Sequence, residues 1–428
     1  MNVSNLLISA GTWKTIGGVA LAIVILLAMI TIHEFGHYVA GKILGFKINE
    51  FSIGFGPALF KKRSKKTGET FALRLVPLGG YCAFDGEDGI EEETPAEKEE
   101  EPFAEMQSDT SVEKESEEEE KTPPKDEYPE PKGARFTDQA PWKRIIVLIA
   151  GALMNYLLAL TLIIVMFGCY GRPVYMVEKQ KPIEGASEEA WEVYENGLQT
   201  GDIILEINGK DLYLITDYMS ALDGKKAGQV VHVLVIREGR KQLVDVTLAQ
   251  DSNPRNMSDS GSVLYPLGLA YRENIPNEDG ELENTLINGG GLVPTDVKDG
   301  FFGTIGHSFV YSFKIGGTVL RSLGELLTGK LGLSAVGGPA TTIKLTSEVA
   351  ASGFQNFLSI AAFIGVNLAV FNLLPVPALD GCKVIFCLIE WIFKKPVNRK
   401  VEAIINFIGL IALFGFAILV DLLQFARF

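Results

Sequence analysis

Cysteine and histidine are both scarce, four of each in 428 residues. Cys82, Cys169, Cys382 and Cys387 show no CxxC spacing and have no histidine beside them. That excludes a disulfide scaffold and a zinc knuckle, and leaves the cysteines as apolar fillers. Positive charge is also short: 39 Lys and Arg stand against 53 Asp and Glu, for a net charge of −14. No nucleic-acid partner is expected. The deficit is local, because residues 85–130 hold 21 acidic residues against four lysines, and the rest of the chain has 35 basic and 32 acidic residues. A block so charged, with prolines and few aromatics, cannot bury enough apolar surface to fold. Residues 85–135 are therefore expected to be a disordered loop, with a docking role left open.

Apolar length is what the chain has in excess. It is 47% hydrophobic, with a positive mean hydropathy that is unusual at this acidity. Three stretches, about Gly17 to His37, Ile145 to Tyr170 and Ala403 to Gln424, reach the ~20 residues that cross ~30 Å of hydrocarbon. Phe357 to Pro375 is nearly as long. The first stretch has no small-residue cleavage site after it and is expected to be retained, not removed as a signal peptide. KILGFK, KKRSKK and WKR lie between the first and second spans, and FKKPVNRK between the third and fourth. Lys and Arg mark cytoplasmic loops, so the termini and the large middle region are expected outside.

TIHEFGHYVAG ends the first span. On a helix His33 and His37 are four residues apart and share a face, so both imidazoles can meet one zinc ion with Glu34 beside them to handle a proton of water. An HExxH pattern can arise by chance on an amphipathic helix, but ionisable residues at membrane depth are costly and default to function. The extended form HExxHxxGxxH fails, since Ala40 and Ile43 stand where Gly and His are wanted. His232 and His307 lie in the region assigned to the other face, and Glu50 follows the helix exit. Asp380 in FNLLPVPALDG is the better third ligand, because spans one and three run the same way and end at the same depth. The competing reading of Asp380 is a turn aspartate before Gly381.

HEFGH, FSIGFGPALF with LVPLGGY, AGALMNY, GLQTGDIILEINGKDL and NLLPVPALDG occur in an order that resembles the bacterial site-2 proteases, intramembrane zinc metalloproteases, over nearly the whole chain. The resemblance implies His33, His37 and Asp380 as zinc ligands, Glu34 as the catalytic glutamate, and Asn372, Pro375 and Pro377 near the substrate. It implies a bacterial plasma-membrane location. Two departures are visible: Cys382 replaces the usual second glycine after LDG, and AGALMN lacks the proline usual after AG.

The chemistry agrees. Three protein ligands leave the fourth position of a tetrahedral zinc for water. A peptide bond inside a transmembrane helix is already hydrogen-bonded, so the substrate must be extended before it is cut. Asn372 offers a hydrogen bond to exposed substrate backbone; an interhelical hydrogen bond is the alternative. The prolines interrupt the third helix there. Residues 45–84 read as extended, with Gly54, Gly56, Gly79 and Gly80 favouring bends. Around Gly54, Phe55 and Gly56 they form either a re-entrant β element offering an edge to substrate or a cytoplasmic hairpin that only packs.

The expected architecture is a polytopic α-helical membrane protein with that re-entrant β element and an extracytoplasmic PDZ-like domain. Its segments are residues 1–44, the first span; 45–84, the β region; 85–135, the acidic loop; 136–170, the second span; 171–300, the PDZ-like domain; 301–354, an amphipathic outer linker; 355–392, the third span; and 393–428, the fourth. The PDZ-like domain acts either by peptide capture or as a size filter. The protein is thus expected to be a zinc endopeptidase cutting a single-span membrane protein, an anti-sigma factor or remnant signal peptide, after a first outer cut. The alternative is a silent membrane receptor or scaffold. Glu34, which a scaffold does not need, favours the enzyme.

Overall fold

A computed structural model describes residues 10–87, 128–178, 197–249, 266–269, 271–276, 282–287, 291–330, 332 and 337–425. Most of the acidic block, 88–127, lies outside the described residues, as does part of GKLGLSAVGGPATTI. The helices are α1 (Ala10–Leu44), α2 (Pro141–Cys169), α3 (Ile215–Leu222), α4 (Phe301–Leu327), α5 (Pro339–Ala350), α6 (Phe354–Asn372), α7 (Asp380–Phe393) and α8 (Arg399–Phe425). Four are long and apolar enough to cross a membrane, over Ile16–Leu44, Pro141–Cys169, Phe354–Asn372 and Arg399–Gln424. These are the four expected stretches, and the protein is a membrane protein.

The segment 355–392, expected as one span, is divided. Helix α6 stops at Asn372 and α7 starts at Asp380. Pro375 and Pro377 have no N–H to continue a helical ladder, and Ala378 is left-handed at φ 76°. Tight turns replace the helix: Leu374 N–H donates to the Phe371 carbonyl and Leu379 N–H to that of Val376. The segment 301–354, expected as a linker, is largely the helices α4 and α5.

The chain folds as two compact units. One comprises residues 1–19, 156–336 and 344–370. Its strands are β3 (Arg172–Glu178), β4 (Ile203–Ile207), β5 (Lys210–Asp211), β6 (Val230–Arg237), β7 (Arg240–Thr247), β8 (Tyr271–Pro276), β9 (Leu282–Ile287) and β10 (Gly291–Val297), if numbered after the two strands of the other unit. The main sheet runs β10-β3-β4-β6-β7, antiparallel throughout, with β5 folded onto β4 and β8 pairing β9 separately. Along β6, Val231, Val233 and Val235 are fully buried while the residues between them are less so, the period-2 pattern of a strand with one face on a core. These valines pack with Leu198, Tyr218 and Leu222, each worth ~1.5–3 kcal/mol on burial. The two-residue turns Asn208-Gly209 (φ 52° and 73°) and Glu238-Gly239 (φ 48° and 76°) have the positive angles that match strand twist in a hairpin. The GLQTGD loop is tied down by buried Asp202, which accepts from Gln199 N–H at 2.8 Å and from Arg237 Nε and Nη2 at 2.8 and 2.7 Å. A second core joins Ile163 and Phe167 of α2, Tyr311 and Ile315 of α4, and Ala362 and Val366 of α6.

The other unit comprises residues 20–155, 337–343 and 371–428. Its strands are β1 (Ile48–Arg63) and β2 (Thr70–Phe84). Both bend, so the pair forms four legs. Residues 48–53 pair with 80–84 on one side and with 70–73 on the other, while 58–63 pair with 70–74. The leg order is therefore 58–63, 70–74, 48–53, 79–84, and among the described residues no strand pairs the outer side of 79–84. Gly54 and Gly56 (φ 86° and 82°) supply the bend between the two legs of β1. Phe46, Ile48, Phe84 and Phe136 make the core beneath. Glu50, whose pKa burial would raise, is held below its ordinary value by hydrogen bonds from Tyr81 at 2.7 Å and Arg74 at 2.5 Å. Helices α1 and α2 come into backbone contact where both carry glycine: a Cβ on Gly36 would collide with the Ala150 carbonyl and the Gly151 Cα. Small residues permit such backbone contact between membrane helices.

Candidate metal centre

His33 and His37 lie on the buried face of α1, one turn apart, at 8% and 7% exposure. Asp380, the first residue of α7, meets them: its Oδ2 is 3.0 Å from His33 Nε2 and 3.4 Å from His37 Nε2, and the two Nε2 atoms are 3.1 Å apart. Among the described residues this is the group of His, Cys, Asp and Glu side chains whose donor atoms converge as a metal requires. Asp380 is delivered by its neighbour: Gly381 sits so tightly on the Leu373 and Leu374 carbonyls that no Cβ fits. Cys382 is buried, with its N–H donating to the Leu379 carbonyl at 3.1 Å, so the departure from glycine is accommodated. Ala152, which stands where the resembled pattern would have proline, is fully buried inside an unbroken α2.

The donor set fits zinc. Bonds of ~2.0–2.1 Å in a tetrahedron place donors ~3.3 Å apart, and the three observed separations bracket that value. Two imidazoles and one carboxylate leave a fourth position open, as catalytic zinc sites do. The ring orientations agree: His37 Nδ1 lies 2.8 Å from the Val147 carbonyl, which accepts its N–H and leaves the Nε2 lone pair facing the centre.

Around this centre the expected residues fall unequally. Glu34 is half-buried on the same turn, and its Cγ would lie 3.1 Å from a Cβ on Gly80, so β2 passes close to it at a position without a side chain. Asn372, at the end of α6, has Nδ2 3.4 Å from His33 Nδ1. Pro375 and Pro377 lie in the α6–α7 turn, and Pro377 packs where Gly409 has no Cβ. Gly54, Phe55 and Gly56 form the hairpin bend, with Phe55 exposed and stacked on Tyr81 at 6.4 Å; Gly80, not the bend, lies beside Glu34. Glu50 belongs to the Arg74–Tyr81 cluster, His232 pairs with Asp245 and His307 with Tyr213.

Sequence reasoning missed α2's part. Gly151 faces both rings: a Cβ there would lie 2.6 Å from His37 Cε1 and 2.7 Å from His33 Cε1. The signal was present in AGALMNY, a glycine four residues before an asparagine on one helical face. Gly151→Ala is expected to displace both imidazoles and cut turnover by about 10²-fold, the scale of a ~1 Å misplacement, with zinc content falling alongside. Full turnover and zinc content in that variant would mean the two helices have slack at this crossing.

The sequence model of Peptidase family M50 matches residues 21–416. The chain belongs to that family. Its relatives include the Regulator of sigma-W protease RasP of Bacillus subtilis, 27% identical over 429 residues, covering 90% of this chain and 93% of that one. A putative zinc metalloprotease of Clostridium perfringens is 30% identical over 400 residues, covering 92% and 94%. One from Campylobacter jejuni is 28% identical over 408 residues, covering 94% and 89%. This M50 peptidase is a zinc metalloprotease of the site-2 type.

Proposed function

We propose that the protease cuts a peptide bond within the transmembrane segment of a single-span protein, with His33, His37 and Asp380 holding the zinc ion and Glu34 as the general base. The observation that carries this reading is the convergence of two buried imidazoles and a half-buried carboxylate beside Glu34 and a strand edge that is unpaired among the described residues. Zinc, when bound, supplies a Lewis acid and brings coordinated water towards a pKa of ~7. A Glu34 carboxylate oxygen accepts a proton from the attacking water and returns it to the amide nitrogen as the C–N bond breaks and a C–O bond forms. The outer edge of leg 79–84, running past Glu34 at Gly80, pairs with the extended substrate backbone. Asn372, at the open end of α6, donates an amide N–H to a substrate carbonyl. The bend at Gly54, Phe55 and Gly56 sets the curvature of that edge.

The hairpin is accordingly a re-entrant element. The Lys- and Arg-rich loops support a cytoplasmic side of a plasma membrane for it, with both termini and the PDZ-like sheet outside. The order GLxxGD and INGK supports the PDZ-like assignment, and insertion between the second and third spans supports its use as a size filter, downstream of a first outer cut. A relative named for sigma-W regulation supports an anti-sigma factor as substrate, with remnant signal peptides as the other class. The test is cleavage in lipid vesicles of one single-span substrate, with and without its folded outer domain. The expected result is a cut mapped inside the membrane segment of the trimmed form. Cleavage only of soluble peptides, or equal cleavage of both forms, would count against the intramembrane reading and the filter respectively.

A further inference from the structure

Asn155 of α2 is 1% exposed, its Nδ2 lies 3.4 Å from His33 Nδ1, and its Oδ1 is buried without a hydrogen-bond partner. A buried amide oxygen left without a partner is costly, so the position needs a reason. The reason lies in His33. Its Nε2 faces Asp380 and His37, and to offer a lone pair there the ring must carry its proton on Nδ1. That N–H needs an acceptor. Both amides near it, those of Asn155 and Asn372, present Nδ2 at 3.4 Å.

We infer that Asn155 is a positioning residue for the zinc site: its Oδ1 accepts the Nδ1–H of His33 once the amide is turned by half a rotation, and so fixes that ring's tautomer and direction. This rests on His33 being a zinc ligand. It gives both histidines the same kind of outer partner from one helix. Val147, Gly151 and Asn155 are spaced four residues apart and form a single stripe on α2. The Val147 carbonyl holds His37, Gly151 leaves room for both rings, and Asn155 holds His33. Asn155 takes this role over Asn372 because it is the more deeply buried amide and carries the unpartnered oxygen. Asn372, half-buried at a helix end, keeps its donors for substrate.

Zinc affinity measured by chelator competition on the full-length protein tests the assignment, with the visible spectrum of the cobalt-substituted protein reporting ligand geometry. Outer partners of metal-bound histidine are worth about 10–100-fold in affinity. Asn155→Leu should lose that factor and alter the cobalt spectrum, and Asn372→Leu should retain wild-type affinity. Asn155→Asp, which can only accept, should bind zinc at least as tightly as wild type. Wild-type affinity in Asn155→Leu, or loss of zinc in Asn155→Asp with the fold intact by thermal unfolding, overturns the inference; the latter would show the amide donating to a bare Nδ1. Asn155→Asp decides alone if the leucine variant does not fold. His33→Ala separates the two levels: zinc retained there sinks the ligand assignment itself, whereas zinc lost there but kept in Asn155→Leu sinks only the role of Asn155.

Discussion

Glu34→Gln is expected to keep its zinc and lose turnover by about 10²–10⁴-fold, the usual contribution of a general base. Glutamine has nearly the same shape, so the side chain keeps its place beside Gly80. What disappears is an oxygen able to accept a proton from water. Glu34 is not among the converging donors, and zinc content should therefore stay at the wild-type level. Metal analysis and single-turnover cleavage of a trimmed substrate in vesicles measure the two quantities separately. Zinc loss together with activity would make Glu34 a ligand, and unchanged activity would remove it from the chemistry.

Asp380→Ala is expected to lose zinc and activity together. The carboxylate is one of three donors and the only anion among them, so its removal must exceed the ~10–100-fold that an outer partner costs. It also leaves two imidazoles 3.1 Å apart at Nε2 with no acid between them. Loss of a ligand bound at ~1,000 times its dissociation constant removes about 4 kcal/mol of stability, so the melting temperature should fall to that of the chelator-treated wild type. Added zinc should raise the wild-type value and leave the variant's unchanged. Full zinc occupancy in Asp380→Ala would return Asp380 to the role of a turn residue.

The histidine pair was legible because a helix converts a spacing of four into a shared face, whatever surrounds it. Asp380 was legible by need, since two histidines do not complete a site and LDG follows a span expected to run the same way as the first; its Oδ2 meets both Nε2 atoms. The break at Asn372 was half legible: Pro375 and Pro377 forecast an interruption, but the segment still read as one span because apolar residues resume in α7. Asn155 and Gly151 were quoted as a motif without chemistry. Their meaning depends on the rotation of α2 against α1, which no property of either sequence segment encodes alone. The β region read as extended, yet its leg order did not, because glycines at 54, 56, 79 and 80 allow several registers.

Among the described residues the outer edge of leg 79–84 is unpaired and offers main-chain groups, and Gly80 on it has no side chain. An enzyme that recognises backbone through such an edge discriminates by the free energy of unwinding, because each helical hydrogen bond opened in hydrocarbon costs several kcal/mol until a strand partner replaces it. A glycine near the cut site lowers that cost by about 1 kcal/mol and a proline by about 3 kcal/mol, or roughly 5-fold and 100-fold in rate. If the 79–84 edge holds substrate as proposed, substrate choice becomes a ranking of helices by fragility, and unrelated sequences with equally weak helices are processed alike.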